Sequence, residues 1–127
     1  MRTSISWFRA FFRFGHLISA DYLSVLTLGE IRKGLPSLPQ SKRGTNLEAW
    51  LEVELQARFS GRILPIDAAV AHRWGFLAAE AKRKGKALST IDALLVATAL
   101  HYNLTVVSRN VSDFANTQVP LLNPWEA

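Results

Sequence analysis

Residues 91–102 read IDALLVATALHY, apolar around almost the whole helical circumference, and this run constrains the fold more than any other. A helix with no polar face has to be covered on every side, so it needs the main sheet on one flank and another layer on the other. Ser89 or Thr90 opens it as a cap. The surrounding segments alternate between short β-branched runs and amphipathic stripes. Residues 104–108 (LTVVS) read as one strand, and residues 62–66 (RILPI) as another that Pro65 confines to an edge. Residues 22–28 (YLSVLTL) read as a buried strand ending near Thr27, and residues 119–122 suit a last one.

Between these strands, Thr27 and Glu30 have capping-box spacing and predict a short helix ending before Gly34. Residues 35–45, with Pro36, Pro39, Lys42 and Arg43, form a connector. Asn46 is placed to cap a helix on which Leu47, Trp50, Leu51, Leu55 and Phe59 share a face, with Gly61 ending it. Asp67 caps the next, where Val70, Trp74, Leu77 and Ala81 form one stripe and Lys82, Arg83 and Lys84 fill the last turn before Gly85. Strands alternating with helices imply right-handed crossovers and an α/β fold, a parallel sheet with helices on both faces. In such sheets ligands bind beyond the carboxyl ends of the strands.

At 127 residues the chain fits a single domain. It has no cysteine, which excludes disulfides, thiolate zinc sites and cysteine nucleophiles, so any metal is held by oxygen or histidine ligands. The net charge of +5 attracts polyanions, although solvated Lys and Arg side chains give the same excess. Residues 1–20 stand apart: Arg2, Arg9, Arg13 and His16 lie among Trp7, Phe8, Phe11, Phe12 and Phe14, with no acid. Arg9 and Arg13 interrupt the apolar core that a secretory signal requires. A transit peptide suits the composition, and so does a segment foreign to the domain that follows. The organisation expected is an atypical N-terminal segment, 1–20, and one domain, 21–127, with no stretch apolar enough to span a membrane.

Three acids fall where the carboxyl-edge rule points: Glu30 after the first predicted strand, Asp92 at a helix start and Asp113 after the 104–108 strand. Converging oxygen ligands are what a hard cation such as Mg²⁺ requires. Each acid also has a plain reading. Glu30 suits the return arm of the Thr27 capping box, Asp92 the third position after a Ser89 cap, and Asp113 a turn.

LTLGEIRKG, LEAWLE, GRILPID, TIDALLVATAL, LTVVSRNVSDF and LLNPW occur in that order. The ordered set, spanning residues 22–125, resembles the VapC branch of the PIN-domain family. That resemblance implies a PIN-like three-layer domain, a parallel sheet flanked by helices. It also implies a cytoplasmic, Mg²⁺- or Mn²⁺-dependent endoribonuclease, the toxic half of a bacterial toxin–antitoxin pair, usually a homodimer and inhibited by a small cognate antitoxin. Glu30 matches the family's acid in the GEI motif, Asp92 the acid opening the DAL helix, and Asp113 the acid of the closing DF motif. The family's first acid, an Asp in a central N-terminal strand with a pattern like LLDTN, has no counterpart. The first central strand is therefore expected to be missing or replaced. Asp21 precedes the first recognisable strand and so falls at the wrong end of the sheet to substitute. Residues 7–18 are expected to pack as a helix or irregular segment, because Arg9, Arg13 and His16 fit badly in a strand buried on both faces.

Ser108, Arg109 and Asn110 follow a strand where RNA phosphate would be met, with a polar turn as the plain alternative. His16, His72 and His101 lack zinc spacing, and Trp50 and Trp74 lie on apolar stripes as packing residues. Lys42 and Arg43 suit a solvated loop more than RNA contact. No Gly-rich loop follows a strand, which leaves a nucleotide-binding module unsupported. Two functions remain. One is a metal-dependent endoribonuclease that hydrolyses RNA phosphodiester bonds with Asp92, Glu30 and Asp113 as catalytic residues and metal ligands. The other is a catalytically impaired remnant that binds an antitoxin or dimerises without cleaving RNA.

Overall fold

The computed structural model describes residues 17–18, 22–34, 36, 48–86, 88–108, 111–114 and 117–123. Strand β1 is Leu17–Ile18 and β2 is Leu23–Ser24. Helix α1, Val25–Gly34, begins directly after β2, so the strand predicted over residues 22–28 stops early. The Ser24 hydroxyl explains the change, because Oγ accepts a hydrogen bond from the Leu26 N–H at 3.1 Å and so caps the helix. Thr27, predicted as the cap, is instead fully buried inside α1.

Helix α2 is a π-helical stretch, Trp50–Leu55, continued by the α-helical turn Gln56–Arg58. Leu51, Leu55 and Phe59 deliver its buried face. Gly61 takes φ +75°, and the chain reverses into β3, Ile63–Leu64. Helix α3, Ala68–Arg83, starts at Asp67, whose Oδ1 accepts from the Val70 N–H at 3.0 Å. Helix α4, Thr90–His101, starts at Ser89, whose Oγ accepts from the Asp92 N–H at 3.1 Å. It ends in a Schellman turn. Asn103 has φ +56°, the Leu104 N–H donates to Ala99 O at 2.8 Å, and the Asn103 N–H donates to Leu100 O at 3.3 Å. The turn aims the chain into β4, Val106–Val107, followed by a 3₁₀ turn, Val111–Phe114, and β5, Leu121–Leu122.

β2 and β3 pair in parallel, Leu23 opposite Ile63 and Ser24 opposite Leu64. β4 and β5 also pair in parallel, Val106 opposite Leu121 and Val107 opposite Leu122. β1 departs from the expectation. Leu17 and Ile18 form a short strand antiparallel to β4, opposite Val107 and Val106, and β1 also contacts β2. The place between β2 and β4 where a first central strand was expected is thus taken by a segment running the other way. Trp7 and His16, which bear on the rest of that expectation, lie outside the described residues.

Alternation along the strands separates two cores. On one face Leu23, Ile63 and Val107 pack with Ile31 of α1 and with Leu51, Leu55 and Phe59. On the other, Leu64 and Val106 pack with Leu95, Val96 and Ala99 of α4, and with Phe114 and Val119. Helix α3 lies across the outer side of α4, its Leu77 reaching the second core. Leu95, Val96, Ala97, Thr98 and Ala99 are all fully buried. This burial between sheet and helix is what a helix apolar on every face demands. Thr98 satisfies its hydroxyl within the helix, donating to Leu94 O at 2.8 Å. Among the described residues no helix is long and apolar enough to cross a membrane.

Candidate active site

Glu30 is carried by α1 and Asp92 by the first turn of α4, the two helices lying on opposite faces of the sheet. Ile31 pins α1 to the core beneath Glu30. On the outer side, Arg32 ties the helix to α2 through Glu52 at 3.1 Å and Glu48 at 3.5 Å. Both ion pairs are exposed and contribute at most about 1 kcal/mol, so the position of α1 rests on its buried face.

The Glu30 carboxyl group is half-buried, and its Oε1 is buried with no hydrogen-bond partner among the described residues. Its pKa is pushed up to about 7, first by burial and second by the negative charge of Asp92, against a smaller opposing effect of the Lys33 ammonium group. Asp92 is half-buried and its backbone N–H is the one that Ser89 caps. The first turn of a helix suits a carboxylate through the helix dipole. The plain reading of Asp92 as third after a cap therefore holds, and its carboxylate acts on Glu30 as well. The plain reading of Glu30 does not hold, because Thr27 is no cap and gives Glu30 nothing to reciprocate. An unpaired buried carboxylate oxygen costs stability unless something answers it.

Asp113 stands on the 3₁₀ turn after β4 and is exposed, while its neighbour Phe114 is fully buried and anchors the turn. Among the described residues no group of three His, Asp or Glu side chains is placed to hold a metal ion. Of the expected trio, Glu30 and Asp92 interact electrostatically, and Asp113 is exposed on its 3₁₀ turn. Ser108 is a correction of a different kind. It is fully buried, and its N–H continues the β4–β5 ladder to Leu122 O at 3.0 Å, so its side chain offers no surface to RNA. Arg109 and Asn110, expected to contact substrate with it, lie outside the described residues, as do Lys42 and Arg43.

His72 is exposed on α3, and the His101 ring meets Tyr102 edge to face at 4.8 Å, neither of them beside the acid pair. Trp50 packs on the first core as its stripe predicted. A cleft of about 560 Å³ opens beside the pair, lined by Val25, Gly29, Glu30, Lys33 and Ile91 among others. Lys33 and Ile91 had no place in the sequence-based site. The three-residue spacing from Glu30 to Lys33 puts both on one helical face and was legible, whereas nothing in the sequence marks Ile91 as part of a cleft wall.

The oxygen-only donor set and the partnerless Glu30 Oε1 fit a divalent cation, which would answer the buried oxygen and offset the repulsion within the pair. Residues 12–119 match the family model described as PIN domain. The chain is 34% identical over 125 residues to VapC ribonuclease Y4jK of Sinorhizobium fredii, covering 98% of this chain and 86% of that one. It is 36% identical over 104 residues to toxin FitB of Neisseria gonorrhoeae, covering 82% of this chain and 75% of that one. The crystal structure of FitAcB from Neisseria gonorrhoeae superposes with a TM-score of 0.78 at 33% identity, over 100% of this chain and 88% of that one. With the sheet order, the acid pair and these similarities together, the chain belongs to the PIN-domain family.

Proposed function

We propose that the chain is a toxin ribonuclease that hydrolyses RNA phosphodiester bonds at the Glu30–Asp92 pair. The observation that carries the reading is the buried Glu30 Oε1, left without a hydrogen-bond partner among the described residues and acted on by a second carboxylate, Asp92. Glu30 and Asp92 would hold Mg²⁺ or Mn²⁺, with Asp113 as a further ligand by family resemblance. A bound divalent ion supplies charge neutralisation at the phosphate and a more acidic water. The chain's own contribution is binding and orientation. Without the ion the Glu30 carboxyl group has a pKa of about 7, so near neutral pH it would give up its remaining proton as the cation binds, and its part is to hold the ion. The water oxygen bonds to phosphorus as the P–O bond to the leaving strand breaks, the water's proton passing to solvent and the leaving oxygen taking one from it, and Asp92, fixed in the first turn of α4, would orient that water.

The similarity to a protein named as a toxin supports a small antitoxin as the protein partner. Phe76, 76% exposed on α3, is an apolar surface that a second copy would cover in a homodimer. A second reading, a catalytically impaired domain that binds its antitoxin without cleaving RNA, is favoured by one pair of observations. Residues 1–20 hold no Asp or Glu, and β1 runs antiparallel where the family's acid-bearing strand belongs.

Cleavage of a structured RNA in Mg²⁺, in Mn²⁺ and in EDTA separates the two. The ribonuclease reading expects metal-dependent cleavage that Asp92→Asn or Glu30→Gln reduces by about a hundredfold or more. Cleavage unaffected by both substitutions would remove the pair from the chemistry, and no cleavage in either metal favours the impaired domain.

A further inference from the structure

The cleft beside Glu30 has a feature that folding does not explain. Gly29 stands inside α1, where glycine weakens a helix relative to alanine. It takes no left-handed φ, and a Cβ built on it meets nothing within 4 Å among the described residues. No close approach and no backbone conformation requires it. What it leaves is room in the cleft, which it lines together with Glu30 and Lys33.

Lys33 lies one helical turn from Glu30, and it is exposed. Its neighbour Arg32 is engaged by Glu48 and Glu52, but Lys33 forms no ion pair with any described residue. Two apolar side chains complete the walls. Val25 is 38% exposed, and Ile91, adjacent to Asp92, is 37% exposed. A volume of about 560 Å³ falls within the roughly 300–1,000 Å³ of small-molecule sites. A cation with no ion pair among the described residues, apolar walls and an open floor beside a pair of carboxylates match a nucleotide, anionic at one end and flat and apolar at the other.

We infer that this cleft is the subsite for the nucleotide next to the scissile phosphate, with Lys33 Nζ on that nucleotide's phosphate and its base over Gly29 against Val25 and Ile91. The inference rests on the ribonuclease reading and goes beyond it by assigning substrate-contacting roles to residues outside the acid pair.

The test uses a fluorescein-labelled single-stranded oligoribonucleotide of mixed sequence. Its binding is followed by anisotropy in the Asp92→Asn background between 50 and roughly 300 mM salt, alongside cleavage by the otherwise unchanged chain. Gly29→Leu should fill the cleft, raising Kd about tenfold or more while thermal stability is kept or increased. Lys33→Gln should lower the slope of log K against log salt by about 0.7, the value for one phosphate contact on a single strand, and Lys33→Arg should restore it. If both variants bind as the parent does while the unchanged chain cleaves RNA, the subsite is wrong and the ribonuclease reading stands. If the unchanged chain neither binds nor cleaves RNA, both fall together. A Lys33→Gln variant with an altered pH profile of cleavage but the parent's salt slope would overturn the phosphate contact, leaving Lys33 to act only through its charge on Glu30.

Discussion

Replacing Glu30 by Gln should stabilise the protein in alkaline solution and do nothing for it in acid. The carboxyl group has an ordinary pKa of 4.5 when unfolded and about 7 in the fold. Between those values the folded state binds a proton that the unfolded state has released, so wild-type stability falls as pH rises from about 4.5 to 7. A rise of about 2.5 in pKa corresponds to roughly 3.4 kcal/mol at 1.36 kcal/mol for each pH unit. The group is only half-buried, and water screens it, so about 1–2 kcal/mol is the realistic cost of carrying the charge at pH 8. Glutamine keeps the shape and removes that charge. Urea melts of the wild type and Glu30→Gln, run without divalent metal at pH 5, 6.5 and 8, provide the assay. The difference should be well below its full size at pH 5, grow through pH 6.5, and reach about 1–2 kcal/mol in favour of Glu30→Gln at pH 8. Ionisable groups remote from Glu30 are common to both proteins and cancel in the difference. A Glu30→Gln variant equally or less stable than the wild type at pH 8 would refute the account of a strained, unanswered carboxylate.

Mn²⁺ at about a hundred times its Kd should stabilise the wild type by about 2.7 kcal/mol, and the gain should vanish in Glu30→Gln and in Asp92→Asn. Thermal melts with and without the ion check it. Leu95→Ala, in the middle of the fully buried run of α4, should cost about 2–5 kcal/mol, read from denaturant melts. A loss under about 0.5 kcal/mol would contradict the layered packing. Replacing residues 1–18 by a parallel strand that ends in Asp should raise Mg²⁺-dependent cleavage of structured RNA, with Asp92→Asn in the same protein abolishing the gain. Equal rates before and after the replacement would make the extra carboxylate dispensable.

The parts of the fold that were legible in the sequence are those fixed by local chemistry. Asp67 and Ser89 cap their helices as expected, because a short polar side chain before an apolar stripe has few better uses. The burial of α4 followed from its composition alone. Residues 22–28 misled because YLSVLTL satisfies two patterns at once: it reads as a strand rich in aliphatic and β-branched residues, yet Leu28 and Ile31 also recur at helical spacing. The Ser24 hydroxyl decided between them. β1 was not legible because its pairing with β4 joins residues about ninety apart, and nothing in Leu17 or Ile18 encodes direction. In the site, Glu30 and Asp92 were found from their positions after a strand and at a helix start. The burial of Ser108 depends on a ladder bond to Leu122, a partner no local pattern names.

The direction of β1 also bears on where an acid could be placed beside Glu30 and Asp92. In a parallel strand the residues that follow the strand emerge at the carboxyl edge, where a ligand is met. β1 pairs Leu17 with Val107 and Ile18 with Val106, so its C-terminal residue lies beside the start of β4 and away from that edge. An acid introduced after Ile18 would therefore be carried to the opposite end of the sheet, as Asp21 is in sequence order. Restoring a carboxylate to the site requires reversing the segment, and a point substitution downstream of β1 does not do that. The backbone partners of β4 are occupied either way, so the sheet can tolerate the reversed strand while losing a position for an acid. Stability and catalytic chemistry are in this way separable at β1. A strand of either direction covers the hydrogen-bonding edge of β4, but only a parallel one ends at the carboxyl edge, where the proposed ligand of Glu30 and Asp92 is met.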